Sequence, residues 1–467
     1  MTTHTLKFSV LFLGATVLGG CASFSPDGGL GKVTEITRER MAIAPEPSRT
    51  EQDSARVEDE VKRLLAAPLS ADGAVKIAIL NNRGLQASLA GLGIAEADLV
   101  QAGRLHNPGF SFGRLAGGGE VEFERKFLFD LMGLFTLSTR SGIERRRFES
   151  AQLAVAGDTL RLAQAARQAW FEAVAARQAT KYQDTAGSAA EAAADLAKRM
   201  ADVGNFSKLR LQREQLLHAE MGAELARARQ NEANARERLI RLLGLSGVQR
   251  NFTLPDRLPD LPASPMPEQD IVNKAMANRL DLRMARLEIE GLAKSLGLTR
   301  STRFVNVLDA SYLNKSATGS PKARGYEIEL VLPLFDWGDA RVAKAEALYT
   351  QALHQVAKTA VNAESEVHDS YGAYRTAFDL ARRYRDEIVP LRKNISEETL
   401  LRYNGMLIGV WDLLADARQQ VAGVNAAIQA QKDFWVAESN LQMSLNGGGA
   451  GVMSLTAAAA SSAAAGH

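Results

Sequence analysis

The sequence predicts a mostly α protein with a small membrane β part: long helical hairpins joined to four strands per chain. Three observations carry this. The same plan occurs twice: Asn82-Arg83 recurs as Asn278-Arg279 (278 − 82 = 196), and Arg104 recurs as Arg300 at the same offset. Each copy holds two short segments whose apolar residues alternate with period two. Each copy then runs into a helical stretch of more than sixty residues, a Gly-containing turn and a shorter return helix. Four strands are too few to close a barrel, so the repeat implies an assembly of chains rather than a self-sufficient enzyme domain.

The first twenty residues read as an export signal. Lys7 gives a positive start, Phe8 to Val17 is mostly apolar, and Leu18-Gly19-Gly20-Cys21 follows. The apolar run is too short to span a bilayer. Small residues before Cys21, the only cysteine of the chain, resemble a bacterial lipobox, in which the thiol takes a diacylglyceryl group and cleavage leaves Cys21 first. Ala22 follows where an Asp would retain such a lipoprotein at the inner membrane, so the resemblance implies export to the outer one. One cysteine excludes an intramolecular disulfide and the Cys-rich zinc patterns. No other apolar run reaches the ~20 residues of a transmembrane helix, so any crossing is made by strands.

Residues 21–69 are polar, carry Pro26, Pro45, Pro47 and Pro68, and read as a tether with one short helix near Asp53–Ala67. The first repeat spans 70–253. Its opening helix, Ser70–Arg104, starts at Ser70 or Asp72 and carries Val75, Ile79, Leu85, Leu89 and Leu92 at helical spacing. Then the period becomes two. In Val121–Leu131, Val121, Phe123, Phe127, Phe129 and Leu131 alternate with Glu122, Glu124, Lys126 and Asp130, and Arg125 is the one violation. Phe110 and Phe112 begin a partner strand across Gly117-Gly118-Gly119. Such alternation suits a membrane strand with its apolar side to lipid and its charged side to water; a half-exposed soluble sheet shares the pattern. Next, Ser141 to Asp202 contains no proline over some 62 residues, roughly 93 Å of helix. Its alanines, among them Ala163, Ala166, Ala169 and Ala173, allow close helix packing. Ser207–Leu243 returns.

Residues 254–267 hold five prolines (Pro255, Pro259, Pro262, Pro265, Pro267) and form a linker expected to lie as a belt across the helices. The second repeat, 268–446, follows the same order. Glu268–Thr302 is helical, and Phe304–Leu313 is a loose strand. Tyr326, Ile328, Leu330 and Leu332 alternate with Glu327 and Glu329. Asp339–Tyr403 is a long helix that Pro390 should kink, and Val410–Leu445 returns. Residues 447–467 are a Gly/Ala/Ser tail that reads as disordered.

These residues resemble the TolC-like outer-membrane efflux channels, in their lipoprotein branch. The resemblance covers roughly 70–446. It rests on Ala78-Ile79-Leu80-Asn81-Asn82, on Leu332-Pro333-Leu334-Phe335-Asp336-Trp337-Gly338, on Arg402-Tyr403-Asn404-Gly405 and on Trp411-Asp412-Leu413-Leu414. It implies a homotrimer whose four strands per chain make a twelve-stranded barrel in outer-membrane lipid, above a periplasmic helical tunnel. It also implies that the turns Val203-Gly204-Asn205-Phe206-Ser207 and Gly405-Met406-Leu407-Ile408-Gly409 dock a periplasmic adaptor, which links the duct to an inner-membrane pump. An acidic ring past the turns would narrow the tunnel. Asp412 fits, Asp416 lies one turn further on the same face, and Arg210 stands in the first copy near where an acid is expected. A solvated Asp412 is the bland alternative.

No catalytic constellation is present. The six histidines form no H-E-x-x-H pair, and neither a Walker nor a G-x-S-x-G motif occurs. No cofactor is expected beyond the lipid on Cys21. The balance of 56 basic and 54 acidic residues suggests no nucleic-acid partner. The expected role is a passive exit duct for small molecules or metal ions. Two alternatives stand: the outer-membrane channel of a type I protein secretion system, and a structural envelope lipoprotein without a pore. The 11 methionines form no Met-x-x-Met cluster, so no particular metal is indicated.

Overall fold

The computed structural model of the protein describes residues 23–447, so Cys21, the expected signal segment and nearly all of the tail lie outside the described residues. Among the described residues, eleven α-helices and four strands follow in order. They are α1 (Gly31–Met41), α2 (Glu51–Leu65), α3 (Ala71–Asn81), α4 (Arg83–Ala102), β1 (Gly109–Gly117), β2 (Glu120–Asp130), α5 (Leu131–Asp202) and α6 (Lys208–Leu243). After the linker come α7 (Ile271–Asn278), α8 (Leu280–Ser301), β3 (Leu308–Ala317), β4 (Ala323–Leu330), α9 (Asp339–Arg383), α10 (Val389–Asn404) and α11 (Val410–Asn446). Among the described residues no helix is long and apolar enough to cross a membrane.

The chain folds into two compact units, and each repeat contributes to both. One unit gathers residues 89–155 and 280–361 with the segment up to Val33; the other gathers 34–88, 156–279 and 362 onward. The first unit contains the four strands. They form one antiparallel sheet in the order β1-β2-β3-β4, so β2 of the first repeat pairs with β3 of the second. Phe110 faces Phe127, Phe127 faces Tyr312, and Tyr312 faces Tyr326, which fixes the register across all four.

Several elements differ from the expectation; β4, for one, stops at Leu330, short of the expected Leu332. The first long helix begins at Leu131, ten residues early, and counts 72 residues. Asp130 ends β2 and at once accepts a hydrogen bond from Gly133 N at 2.6 Å, so it caps the helix and leaves no loop. β3 lies four residues later than Phe304–Leu313, because pairing with β2, and not its own loose alternation, sets its limits. Residues 31–65, expected as a tether with one short helix near Asp53–Ala67, carry that helix as α2 and a second, α1, before it. Val33 and Ile36 of α1 are buried, and α2 buries Val57 and Val61 against Leu80 and Leu239. Thr50 caps α2 through a reciprocal pair with Asp53.

The second unit holds the main core. Trp170, Phe171, Val174, Leu239, Leu243 and Leu254 pack with α2 and α3, and Trp170 Nε1 donates to Leu69 O at 2.7 Å. The Pro-rich linker lies against helices: Leu258 and Leu261 are buried, and Pro259 O accepts from Gln431 Nε2 and Trp435 Nε1. The repeated Asn-Arg pair now has a structural role. Each opening helix is two helices, broken at Asn82 and at Arg279, and each break reaches the last turn of its own return helix. Asn82 Nδ2 donates to Leu242 O at 2.9 Å, while its side-chain oxygen accepts from Leu85 N. In the second copy Arg279, buried to 1% exposure, donates to Ser444 O and pairs with Glu366 at 2.7 Å. Helix C-terminal carbonyls lack intrahelical donors, so a side-chain donor from the break satisfies them. The expected kink at Pro390 takes a definite form: Tyr384–Ile388 is one turn of π-helix, in which Val389 N donates to Tyr384 O. Proline at 390 cannot donate to residue 386 and its ring crowds that carbonyl; the wider turn relieves the clash.

Candidate pore and docking surfaces

The sheet has two chemically distinct faces. The register places Phe110 and Phe112 of β1, Phe127 and Phe129 of β2, Tyr312 of β3, and Tyr326, Ile328 and Leu330 of β4 on one side. All eight are solvent-exposed in the single chain, a contiguous apolar sheet surface of the kind that marks a membrane or protein contact. The other side carries Glu120, Glu122, Glu124, Asp130, Asp309, Glu327 and Glu329 against Lys126 and Lys315. Both lysines are paired across strands, Lys126 with Glu327 at 3.1 Å and Lys315 with Glu124 at 3.5 Å. Carboxylates remain in excess, so this face is acidic. Among the described residues, the outer edges of β1 and β4 have no strand partner.

The two helical turns close by the same hydrogen bonds on different residues. In the first, Asn205 N donates to Met200 O and Gly204 N to Ala201 O, with Gly204 at φ +79°. In the second, Leu407 N donates to Arg402 O and Met406 N to Tyr403 O, and the left-handed residue is Met406 at φ +57°. Gly405, immediately before it, is at φ −79°. The glycine of the second turn therefore sits one residue early, and a side-chain-bearing residue takes the conformation that glycine favours. Val203 (71% exposed), Met406 (93%) and Leu407 (77%) project into solvent, as do Gly204, Asn205, Ser207, Gly405 and Gly409. Phe206 and Ile408 are half-buried. Phe206 stacks on Trp411, ring centroids 5.4 Å apart, and joins the two turns.

Arg210 and Asp412 occupy matching places, each three residues past its helix cap (210 − 207 = 412 − 409). Ser207 Oγ accepts from Arg210 N, whereas in the second copy the Asp412 carboxylate accepts from Gly409 N at 3.2 Å. Glycine has no side chain to cap with, so Asp412 supplies the contact from inside the helix and places its charge at the favourable end of the dipole. Arg210 lies over the Trp411 ring at 5.9 Å. Among the described residues it forms no ion pair with Asp412. Asp412 is exposed and Asp416 half-buried, with Oδ2 shielded from water and unpartnered.

Glu214 was not among the residues singled out from sequence. It is 3% exposed, and its Oε2 is also buried without a partner. Burial pushes its carboxyl above the ordinary glutamate value, and Arg418 opposes that rise. The only sequence signal would have been the register of the two return helices, since Glu214 lies as far past Ser207 as Asp416 lies past Gly409 (214 − 207 = 416 − 409). Among the described residues no group of three His, Cys, Asp or Glu side chains could hold a metal ion.

A four-stranded sheet joined along the chain to long helices is the fold of the outer-membrane channels to which the chain is similar, and the chain has that fold. It is similar to the outer membrane protein VceC of Vibrio cholerae, at TM-score 0.69 and 16% identity, over 81% of this chain and 96% of that one. It is similar also to the CmeC outer membrane channel of Campylobacter jejuni, at TM-score 0.66 and 16% identity over 91% and 93%. A third is the open state of the MtrE outer membrane channel of Neisseria gonorrhoeae, at TM-score 0.65 and 16% identity over 80% and 88%. No protein-family profile and no curated protein matches the chain.

Proposed function

We propose that the chain is one third of a trimeric efflux duct in the bacterial outer membrane, passing small molecules or metal ions outward from a periplasmic adaptor and an inner-membrane pump. The observation that carries this reading is the sheet with two faces and two unpaired edges. An exposed, regular strand edge is a template for pairing, and a four-stranded sheet cannot close on itself. β1 and β4 run antiparallel to one another, so β4 of one copy continues into β1 of the next. Three copies give the twelve strands that the resemblance implies. The apolar face then meets lipid and the acidic face lines a watery passage.

The turns 203–207 and 405–409 are the docking tips in this reading, with Val203, Met406 and Leu407 as their exposed apolar contacts. Asp412 and Asp416, repeated three-fold, narrow the passage near these tips, with Arg210 beside them. Cys21 carries the lipid anchor. The protein does no catalysis; its partners supply the energy.

Single-channel recording in planar bilayers tests the reading. The purified oligomer should give uniform conductance steps with cation preference. A well-folded oligomer that inserts and gives no steps would leave the pore-less structural lipoprotein as the function.

A further inference from the structure

We infer that the apolar face of the sheet carries, at its hairpin-turn end, a binding site for the phosphate groups of a lipid headgroup, built by Arg114, Arg125 and Arg324. The inference rests on the reading that this face meets lipid. From the helix-bearing ends of the strands toward the turns, the face runs in rows set by the register. The first row pairs Leu308 with Leu330, and the second Ala310 with Ile328 beside Phe129. The third joins Tyr312, Tyr326, Phe127 and Phe110. No charge appears in these three rows. The fourth joins Phe112, Arg125, Asn314 and Arg324, and the fifth holds Arg114 beside Phe123 and Ser316. Arg125, the one break in the alternation of β2, is therefore a member of a basic rim two rows deep, with arginines on β1, β2 and β4.

All three guanidinium groups are exposed, and among the described residues none forms an ion pair. The lysines of the opposite face both do, at 3.1 Å and 3.5 Å. Arg125 lies over the Phe112 ring at 6.0 Å, which holds it at the boundary of the apolar rows. Arg125 and Arg324 share a row on β2 and β4, about 10 Å apart by strand spacing, and Arg114 is the diagonal neighbour of Arg125. Guanidinium groups bind phosphate oxygens in a fork, and basic side chains at a membrane surface draw anionic headgroups. The fit is to an amphiphile: phosphates against the arginine rows, acyl chains along the Phe110, Tyr326 and Ile328 rows below. A free anion would have no use for those rows.

Full-length oligomer in detergent is incubated with a hexa-acylated disaccharide lipid bearing two phosphates, with the same lipid dephosphorylated, and with phosphatidylethanolamine; retained lipid is measured by native mass spectrometry. The diphosphorylated lipid should be retained about tenfold more than the dephosphorylated one. The triple variant R114Q/R125Q/R324Q should lose that preference, and R114K/R125K/R324K should recover most of it. Equal retention of both lipids, or an unchanged preference in the glutamine variant, overturns the site. Displacement by millimolar inorganic phosphate shows a free-anion site and overturns the lipid assignment. Conductance of the same wild-type preparation separates the two readings: steps without a lipid preference overturn the lipid site alone, while an oligomer that inserts and gives no steps overturns the channel reading and this one with it.

Discussion

Glu214 and Asp416 occupy the same station in the two return helices, seven residues past the caps Ser207 and Gly409 (214 − 207 = 416 − 409 = 7), and each keeps one carboxylate oxygen out of water without a partner. A buried acceptor left unsatisfied costs about 1–3 kcal/mol, more when charged. Burial raises the carboxyl of Glu214 above its ordinary value, so the folded chain holds a proton that the unfolded chain releases more readily. Stability from this group is fully present below the unfolded pKa and is lost progressively as pH rises from there through the raised folded pKa. Amide exchange over 208–220, taken relative to the intrinsic rate at each pH, should therefore slow when pH drops from 7 towards the ordinary glutamate value. Glu214→Gln should slow it at pH 7 and flatten the pH dependence; an unchanged slope would show that Arg418 compensates the charge.

The turn at Met406 offers a cleaner stability test. A non-glycine residue held at φ +57° costs about 1–2 kcal/mol relative to glycine. Met406→Gly should stabilise the second hairpin by about 1 kcal/mol, and Gly204→Ala should destabilise the first by a similar amount. Local exchange rates at the two turns measure both. The same Met406→Gly variant should bind an adaptor more weakly if the exposed thioether is a docking contact.

Charge placed on the apolar sheet face should break the oligomer according to its row. Ile328→Arg puts a guanidinium two rows below the arginine rim, at roughly 2–4 kcal/mol per chain at mid-membrane. Phe127→Arg, one row below the rim, should cost less. Glu329→Gln, on the acidic face, should be mild. Survival of a heat-resistant oligomer on gel electrophoresis ranks the three, and an intact Ile328→Arg oligomer would mean the faces are assigned the wrong way round.

The cap contact of Asp412 and its proposed pore charge can be separated by substitution. Asp412→Asn keeps an acceptor for Gly409 N and removes the charge, whereas Asp412→Ala removes both. If three carboxylates narrow the passage, both variants should raise conductance and weaken cation selectivity. If Asp412 only caps its helix, Asp412→Asn should conduct as wild type, and Asp412→Ala should show only a frayed helix start, worth about 1 kcal/mol. Arg210→Ala, which frees Trp411 of its overlying cation, should loosen the contact between the turns and lengthen open times.

The sequence made the long elements legible because their signals are local. Alternation in Val121–Asp130, absence of proline across 141–202 and Pro390 each act within a few residues of where they stand. What it hid depends on partners distant in the chain. The limits of β3 come from β2, nearly two hundred residues earlier. The burial of Arg279, while Arg83 of the first copy stays exposed, comes from Glu366 and Ser444. The packing of α1 and α2 needs surfaces that only the folded chain assembles. At the turns, the glycine at 405 was visible, but the residue that bears the left-handed conformation was the next one. Glu214 escaped notice because a glutamate on a polar helix reads as solvated.

The π-turn at Tyr384–Ile388 makes the two halves of the molecule inequivalent in phase. Inserting one residue into a helical turn rotates everything beyond it by about 100°. Val389–Asn404 therefore presents a different stripe of side chains than an unbroken continuation of α9 would, while α5 keeps one phase over all of its 72 residues. Deleting a single residue between 384 and 388 is thus the one excision in this helix run that geometry could absorb. It would leave Leu391, Ile395 and the second tip in their present phase, whereas the same deletion elsewhere in α9 would swing them about 100° around the helix axis.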